Sequence, residues 1–208
     1  MSKELFIVVD GIDGSGKSEI VKILHNYLFS KGKKYNILTT REPTNGFYGK
    51  QIRKMLRQEK DPQSNSKKLM NLFIKDRQEH LEKTIGPFLK KSNNHELNIV
   101  LCDRYYYSTI AFQGAQGIDT KGLVAKNKKF RKPDITFILD VEPFLALKRI
   151  EYRKKEKFEQ LDFMKKIREN FLRLPKLLND NIKIIDSSKS LKNVFRDIKK
   201  EIDKIINV

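Results

Sequence analysis

Five short runs of consecutive apolar residues recur along the chain, and longer stretches with helical periodicity separate them. Apolar residues at successive positions, rather than at alternate ones, are typical of strands in a parallel sheet that is covered on both faces. The pattern therefore predicts five buried strands, at residues 5–10, 36–40, 98–103, 135–140 and 182–186.

The stretches between these strands carry apolar residues at intervals of three and four, which is the spacing of one helix face. The last stretch shows this most clearly, at Leu191, Val194, Phe195, Ile198, Ile202 and Ile205. Helices are predicted at residues 17–31, 46–58, 66–91, 105–126, 143–179 and 190–206. The alternation of strands and helices predicts a three-layer α/β fold, in which helices cover both faces of a five-stranded parallel sheet.

The chain is expected to form a single domain over residues 1–208, because it has no internal repeat and no low-complexity linker. Its first residues lack the pattern of a secretory signal, and the first apolar run is far shorter than the roughly 20 residues that cross a bilayer. We therefore expect a soluble cytoplasmic protein without a membrane partner.

A net charge of +18, from 44 Lys and Arg against 26 Asp and Glu, favours polyanionic partners. Charge alone does not separate nucleic acid from phosphorylated small molecules, and many of the lysines fit a solvated surface. No RNA-binding signature is present, so nucleic acid is not expected as a partner. The single cysteine, Cys102, excludes an internal disulfide, and no zinc-ligand spacing occurs, so any metal is expected to be oxygen-bound Mg²⁺.

Charged residues follow three of the predicted strands. Asp10 and Gly11 end the first strand, Arg41 and Glu42 follow the second, and Asp103 and Arg104 end the third. In parallel α/β sheets, ligands bind outside the carboxyl ends of the strands. Two arginines beside a glycine-rich loop therefore predict an anion pocket at this edge.

The loop after the first strand fits the P-loop pattern G-x-x-x-x-G-K-[ST] and lies between an apolar strand and an amphipathic helix, as that pattern requires. Its backbone N–H groups and the helix N-terminus are expected to bind nucleotide phosphates. Lys17 can reach the β- and γ-phosphates, and the Ser18 hydroxyl can bind Mg²⁺. The predicted ATP-binding residues are Gly11, Ile12, Asp13, Gly14, Ser15, Gly16, Lys17 and Ser18.

Other features narrow the class of P-loop protein. The guanine-reading motif [NT]-K-x-D of switch GTPases is absent, and the D-x-x-G match at 119–122 follows a predicted helix, so we interpret it as coincidental. On the helix at 66–91, Phe73 and Arg77 lie one turn apart on one face, where they could stack on a base and bond its edge. In the alternative, Phe73 belongs to the core and Arg77 forms a surface ion pair.

Five ordered motifs resemble the thymidylate kinase family of P-loop nucleoside monophosphate kinases. They are DGIDGSGKS, TREPT, LFIKDR, DRYYYSTIAFQG and RKPDITFILDV, and the resemblance extends from about residue 5 to residue 175. It implies ATP-dependent phosphorylation of dTMP to dTDP with Mg²⁺, in the synthesis of dTTP, by a homodimer.

The resemblance also implies roles for residues on the acceptor side. Asp13 matches a carboxylate that contacts the sugar 3′-hydroxyl and the water shell of the metal. Arg41 and Arg104 match arginines that hold the acceptor phosphate, and Asp103 matches a carboxylate that orders these arginines and the Mg²⁺ waters. Phe112 matches an aromatic residue that leaves no room for a ribose 2′-hydroxyl.

For the base, the resemblance implies that Phe73 stacks on thymine and Arg77 bonds its carbonyl, with Thr109 and Gln113 at the base edge. Tyr105, Tyr106 and Tyr107 fit either the site or the core.

One further arginine is expected over the transferring group. Some family members carry it in the P-loop, at the position of Gly14 here, so the resemblance assigns it to a mobile lid at about 149–159. Arg149 and Arg153 are the candidates, and an exposed, charged helix surface is the alternative for this segment. Glu19 departs from the family, which usually has a small hydroxyl residue there; its carboxylate could lower ATP affinity or turn outward.

Two other functions stay open at the level of sequence. One is a kinase for another nucleoside or nucleoside monophosphate such as dUMP, because DRYYYS also resembles deoxynucleoside kinases. The other is a nucleic-acid-bound P-loop ATPase, which the charge of +18 suggests.

Overall fold

A computed structural model describes residues 4–32, 34–58, 65–91, 96–150 and 157–206. The five predicted strands are present, in a single sheet with the order β2-β3-β1-β4-β5 and parallel pairing throughout. The strands are β1 Glu4–Gly11, β2 Tyr35–Arg41, β3 Leu97–Asp103, β4 Ile135–Asp140 and β5 Ile182–Asp186. The predicted five-stranded parallel sheet is therefore confirmed.

Helices alternate with the strands along the described chain. They are α1 Lys17–Ser30, α2 Phe47–Gln58, α3 Ser66–His80, α4 Gly86–Lys90, α5 Tyr106–Ala115, α6 Thr120–Asn127, α7 Pro143–Ile150, α8 Lys157–Leu177 and α9 Leu191–Ile206. No helix among the described residues is long and apolar enough to cross a membrane.

Two cores lie on opposite faces of the sheet, because successive side chains of a strand point to opposite sides. In β1, Phe6 and Val8 belong to the core under α4, α5 and α8, whereas Ile7 and Val9 belong to the core under α1 and α9. All four side chains are buried. This double burial explains why the strand is apolar at every position from Leu5 to Val9.

The predicted helix at 105–126 differs from the observed structure. The segment 105–126 is divided into α5 and α6, because Gly117 adopts a φ of +89°, which side-chain-bearing residues rarely adopt. Asp119 then caps α6, accepting a hydrogen bond of 2.8 Å from the N–H of Gly122. The D-x-x-G match at 119–122 thus forms the N-terminus of α6.

The predicted helix 66–91 contains a π-helical turn at Leu81–Ile85 between α3 and α4. The predicted helix 143–179 is represented by α7 and α8 on either side of residues 151–156, which lie outside the described residues. Apolar spacing did not reveal the π-helical turn, because Leu81 and Ile85 continue the apolar stripe of the predicted helix.

Candidate active site

The P-loop lies between the end of β1 and the start of α1. The chain turns sharply there, with φ of +78° at Gly14 and +95° at Gly16, and α1 begins directly afterwards at Lys17. The positive end of the α1 dipole therefore faces the loop, where it favours an anion.

Lys17 is the cation of this loop. Its ammonium group is buried and donates a hydrogen bond of 2.7 Å to the carbonyl oxygen of Ile12. Burial, followed by repulsion from Arg104, lowers the pKa of Lys17 to about 8. A nucleotide phosphate bound in the loop would favour the charged form of this side chain.

Ser18 and Asp103 provide the oxygen atoms that suit a divalent cation. The Ser18 hydroxyl, at the start of α1, donates a hydrogen bond of 2.8 Å to Oδ2 of Asp103, at the end of β3. A hydroxyl and a carboxylate are ligand types that Mg²⁺ accepts, with water and phosphate oxygens completing its octahedron. The two residues fit the Mg²⁺ that the sequence predicts. No cluster of three metal-ligating side chains occurs within the described ranges.

Arg104 adopts an uncommon backbone conformation, with φ of +72°. Its guanidinium donates to the Gly11 carbonyl oxygen at 3.2 Å and to the Ser108 hydroxyl at 2.8 Å, and it pairs with Asp13. The charge of Arg104 holds the pKa of Asp13 below its usual value. The ring centre of Phe112 lies 5.3 Å from the same guanidinium. These contacts hold Arg104 beside the P-loop.

Asp10 is a site residue to which the sequence analysis assigned no role. Its buried carboxylate accepts hydrogen bonds from the N–H groups of Gly11, Tyr105 and Ser108, and from the Ser108 hydroxyl. Desolvation raises the pKa of Asp10, while Arg104 and the hydrogen bonds oppose that shift. Asp10 thus joins β1 to the N-terminus of α5. A fully apolar strand that ends in a carboxylate was the only sequence signal for this role.

The cleft between the P-loop and the ends of β2 and β3 measures ≈ 470 Å³. Lys17, Arg41 and Arg104 line it, so the structure brings together cations from three elements. Arg53 of α2 also lines the cleft. The sequence did not predict this residue as part of the site, because its position fits an ordinary exposed helix face. It donates to the carbonyl oxygens of Pro43 and Thr44. Glu19, exposed in the first turn of α1, lines the cleft as well.

Arg77 is fully buried, so the alternative of a surface ion pair is wrong about its location. Its guanidinium lies 2.7 Å from a carboxylate oxygen of Glu42, also buried. It donates to Oδ1 of Asn127 at 2.7 Å and to Oγ1 of Thr109 at 3.0 Å. The described structure thus gives Arg77 an internal hydrogen-bond network. Its predicted bond to a base stays a prediction.

The other predicted base-site residues lie near Arg77. Thr109 and Gln113 are buried one turn apart on α5, and Oε1 of Gln113 is buried without a hydrogen-bond partner within the described structure. Phe112, on the same helix, is half-buried with its ring at right angles to that of Phe171. Phe73 packs partly buried against the cluster between α2 and α3.

The three consecutive tyrosines belong to the core, which resolves the alternative left open by the sequence. Tyr105, Tyr106 and Tyr107 are all buried. The hydroxyls of Tyr106 and Tyr107 both donate to Asp180, and that of Tyr105 donates to the carbonyl oxygen of Arg131. Their hydroxyl groups therefore bind residues of other elements within the fold.

Of the two arginines predicted for the lid, the structure describes only Arg149. Arg149, near the end of α7, donates to the carbonyl oxygens of Ser187 at 2.9 Å and Gly14 at 3.4 Å, so it joins the P-loop to the loop after β5. Arg153 lies outside the described residues, as does much of the predicted lid at 149–159.

Comparisons with known proteins agree along nearly the whole chain. A family model described as thymidylate kinase matches residues 9–198. The chain is 35% identical to a probable thymidylate kinase of Archaeoglobus fulgidus over 98% of this chain and 97% of that protein. It is 41% identical to a thymidylate kinase of Leptospira borgpetersenii over 85% of this chain and 84% of that protein. The crystal structure of a thymidylate kinase from Ehrlichia chaffeensis has a TM-score of 0.74 and 29% identity, covering 96% of this chain and 98% of that one.

Proposed function

The chain belongs to the thymidylate kinase family, and on that premise we propose that it transfers a phosphoryl group from Mg-ATP to dTMP in the cleft beside the P-loop. The observation that carries the proposal is the convergence of Lys17, Arg41 and Arg104 on one cleft. Such an arrangement suits two phosphate-bearing substrates that face each other.

The P-loop supports the donor side of this proposal. The N-terminus of α1 and the Lys17 ammonium would bind the β- and γ-phosphates of ATP. Ser18 and, through water, Asp103 would hold the Mg²⁺ that accompanies ATP and neutralises charge on the phosphates. The hydrogen bond between Ser18 and Asp103 already places these two oxygens together.

Arginines support the acceptor side. Arg41 and Arg104 would bind the dTMP phosphate, because a planar guanidinium matches phosphate oxygens with paired N–H donors. A phosphate oxygen of dTMP is ionised at neutral pH, so the reaction needs no strong base. Catalysis would consist of positioning and charge neutralisation. Asp13, held by Arg104, would contact the sugar 3′-hydroxyl, and Phe112 would restrict the space near the 2′-carbon.

The hydrogen-bond pattern near Arg77 supports a 4-oxopyrimidine base. Oγ1 of Thr109 accepts from Arg77, so its own O–H remains available as a donor to a carbonyl oxygen. Gln113 Oε1 has no hydrogen-bond partner among the described residues, and an acceptor at this position suits the N3–H of thymine. Cytosine, with a donor at C4 and an acceptor at N3, has the opposite pattern. Phe73 would stack on the base.

A final cation over the transferring group is assigned to the lid, with Arg149 or Arg153 as the residue. The bonds of Arg149 to backbone carbonyls place it at the boundary between the P-loop and α7. Arg153 lies outside the described residues, so both arginines stay candidates for this role.

Substrate panels test the activity. The protein is incubated with Mg-ATP and each of dTMP, dUMP, UMP, CMP, AMP and thymidine, and ADP release is followed. We expect dTMP to give the highest kcat/KM. A higher kcat/KM with dUMP or thymidine would move the assignment to a neighbouring kinase, and ADP release stimulated by DNA but by no monophosphate would exclude the proposal.

We also propose a homodimer, on the basis of family membership alone. Light scattering should give about twice the chain mass of 24.5 kDa. A mass equal to one chain at micromolar concentration would contradict this.

A further inference from the structure

The hydrogen bonds of Arg77 leave little of its guanidinium free. A guanidinium has five N–H donors. Nε donates to Glu42 at 2.9 Å, Nη2 lies 2.7 Å from the same carboxylate oxygen and donates to Thr109, and Nη1 donates to Asn127. Within the described structure, one N–H of Nη1 therefore remains for a ligand. The direction of this N–H depends on the residue that binds the other N–H of Nη1.

Asn127 is the residue that holds Nη1. It is the last residue of α6, and its side chain is buried. The amide nitrogen donates to the carbonyl oxygen of Leu123 at 2.8 Å, and the amide oxygen accepts from Arg77 at 2.7 Å. The opposite amide orientation would place two donors against each other at Arg77 and two acceptors at Leu123. The backbone of α6 therefore sets the position of the oxygen that binds Arg77.

We propose that Asn127 is a positioning residue for base selection, which orients Arg77 so that its remaining Nη1–H is held for the 4-oxo group of a pyrimidine nucleotide. This inference rests on the proposed function, because it assigns the base to the Arg77 side of the cleft. Glu42 holds one edge of the guanidinium and Asn127 the other. Base recognition thereby depends on α6, which contributes none of the predicted base-contacting residues.

Asn127 restricts rotation of the Arg77 guanidinium about the Glu42 oxygen that both Nε and Nη2 contact. Without Asn127, the guanidinium keeps its bonds to Glu42 and Thr109, but Nη1 has two unpaired N–H groups. Two unpaired N–H groups in a buried site can donate to the 4-oxo oxygen in a poorly aligned geometry, or donate to water instead. The loss is expected in substrate binding and in base discrimination, because the reacting phosphates lie at the P-loop.

The test compares Asn127→Leu with Asn127→Asp. The leucine removes the acceptor oxygen at similar volume, whereas the aspartate keeps an oxygen for Arg77. For Asn127→Leu we expect the KM for dTMP to rise about tenfold or more, as loss of a hydrogen bond to a charged group predicts. The kcat and the KM for ATP should stay within about threefold, and the preference for dTMP over dCMP should fall. In Asn127→Asp, the KM for dTMP and the preference for dTMP over dCMP should both return most of the way to their wild-type values.

Asn98→Leu is the matched control. Asn98 is also buried. Its amide nitrogen donates a hydrogen bond of 3.0 Å to the carbonyl oxygen of Phe88 in α4, and its amide oxygen accepts a hydrogen bond from Asn36. It lies at the start of β3, at the other edge of the sheet from the P-loop. We expect Asn98→Leu to lower the melting temperature without changing the preference for dTMP over dCMP.

The outcomes separate this inference from the proposed function. Absence of dTMP phosphorylation by the wild-type protein would refute both. An active wild type together with a folded Asn127→Leu that has normal KM and normal base preference would overturn the inference alone, as would an equal loss of preference in Asn98→Leu. If Asn127→Leu does not fold, as thermal unfolding would show, Asn127→Ala replaces it with the same expected results.

Discussion

Individual side chains in the cleft are held by contacts that their sequence neighbours do not reveal. Arg104 lies at the carboxyl end of β3, and its left-handed backbone and its bonds to Gly11, Ser108 and Asp13 direct the guanidinium toward the P-loop. An unusual backbone conformation that costs about 1–3 kcal/mol persists only where surrounding contacts enforce it. The contacts of Arg104 meet that requirement.

Replacing Arg104 tests its proposed role. Arg104→Ala should lower kcat/KM for dTMP by about 100-fold or more, because in the proposed role a charged donor to the acceptor phosphate is lost. Steady-state kinetics at varied dTMP measure the effect, and circular dichroism checks the fold. Arg173→Ala, which removes an exposed arginine of α8, serves as the control and should behave as wild type. A folded Arg104→Ala with near-normal turnover would contradict the role.

Glu19 brings a negative charge to the donor side. Its exposed carboxylate lines the same cleft as Lys17, and it forms no ion pair within the described structure. Repulsion between unit charges about 4 Å apart is about 1 kcal/mol in water, the medium around an exposed carboxylate. Glu19→Gln should therefore lower the KM for ATP by about two- to fivefold, while Glu169→Gln, on the exposed face of α8, should not. An unchanged KM for ATP would mean that the Glu19 carboxylate faces away from the phosphates.

At the scale of elements, the site depends on close approaches between segments that are distant in sequence. A Cβ atom on Gly14 would lie 2.3 Å from the carbonyl oxygen of Ala146 in α7, so the P-loop packs directly on that helix. Because of this contact, the arginine that some family members carry at this position would not fit the present packing. Asp10 similarly links β1 to α5.

Two alanine substitutions separate backbone strain from this contact. Gly14 and Gly117 both have positive φ, but a Cβ on Gly117 would meet no atom of the described residues within 4 Å. Gly117→Ala should cost about 1–2 kcal/mol of stability from strain alone. Gly14→Ala should cost more and should weaken ATP binding, because α7 must move. Thermal unfolding and ATP titration measure the two effects; equal destabilisation with unchanged ATP affinity would contradict the close contact.

At the scale of the whole molecule, the reactivity of one buried thiol shows whether the sheet is intact. Cys102 is the only cysteine of the chain, and its side chain is buried in β3 beside the site. Burial raises the pKa of Cys102 well above its usual value, and its Sγ donates to the carbonyl oxygen of Arg104 at 3.1 Å. A thiol in this state reacts only when the fold opens.

Labelling of Cys102 by a disulfide reagent at pH 8 should accordingly be slow in the native protein and rapid in denaturant. Addition of Mg-ATP and dTMP should slow it further, because ligands that bind the native state stabilise it. Rapid labelling without denaturant would show that the centre of the sheet opens locally.

The sequence by itself predicted the sheet and the class of chemistry. Strands β4 and β5 were predicted at their observed bounds, because their apolar runs end at polar residues that turn away from the core. The P-loop pattern was recognised because its spacing is imposed by one local structure that holds phosphates. The five motifs, in order, predicted the family that the comparisons then established.

Only the tertiary structure decided which polar residues form pairs. Arg77 is bound by Glu42, Asn127 and Thr109, which lie 35, 50 and 32 residues away in sequence. Local periodicity describes which face of an element is apolar, but it carries no information about which two elements meet. The burial of Arg77 and the roles of Asp10 and Asn127 depend on such meetings, because desolvated polar groups are stabilised by partners that only the assembled fold supplies.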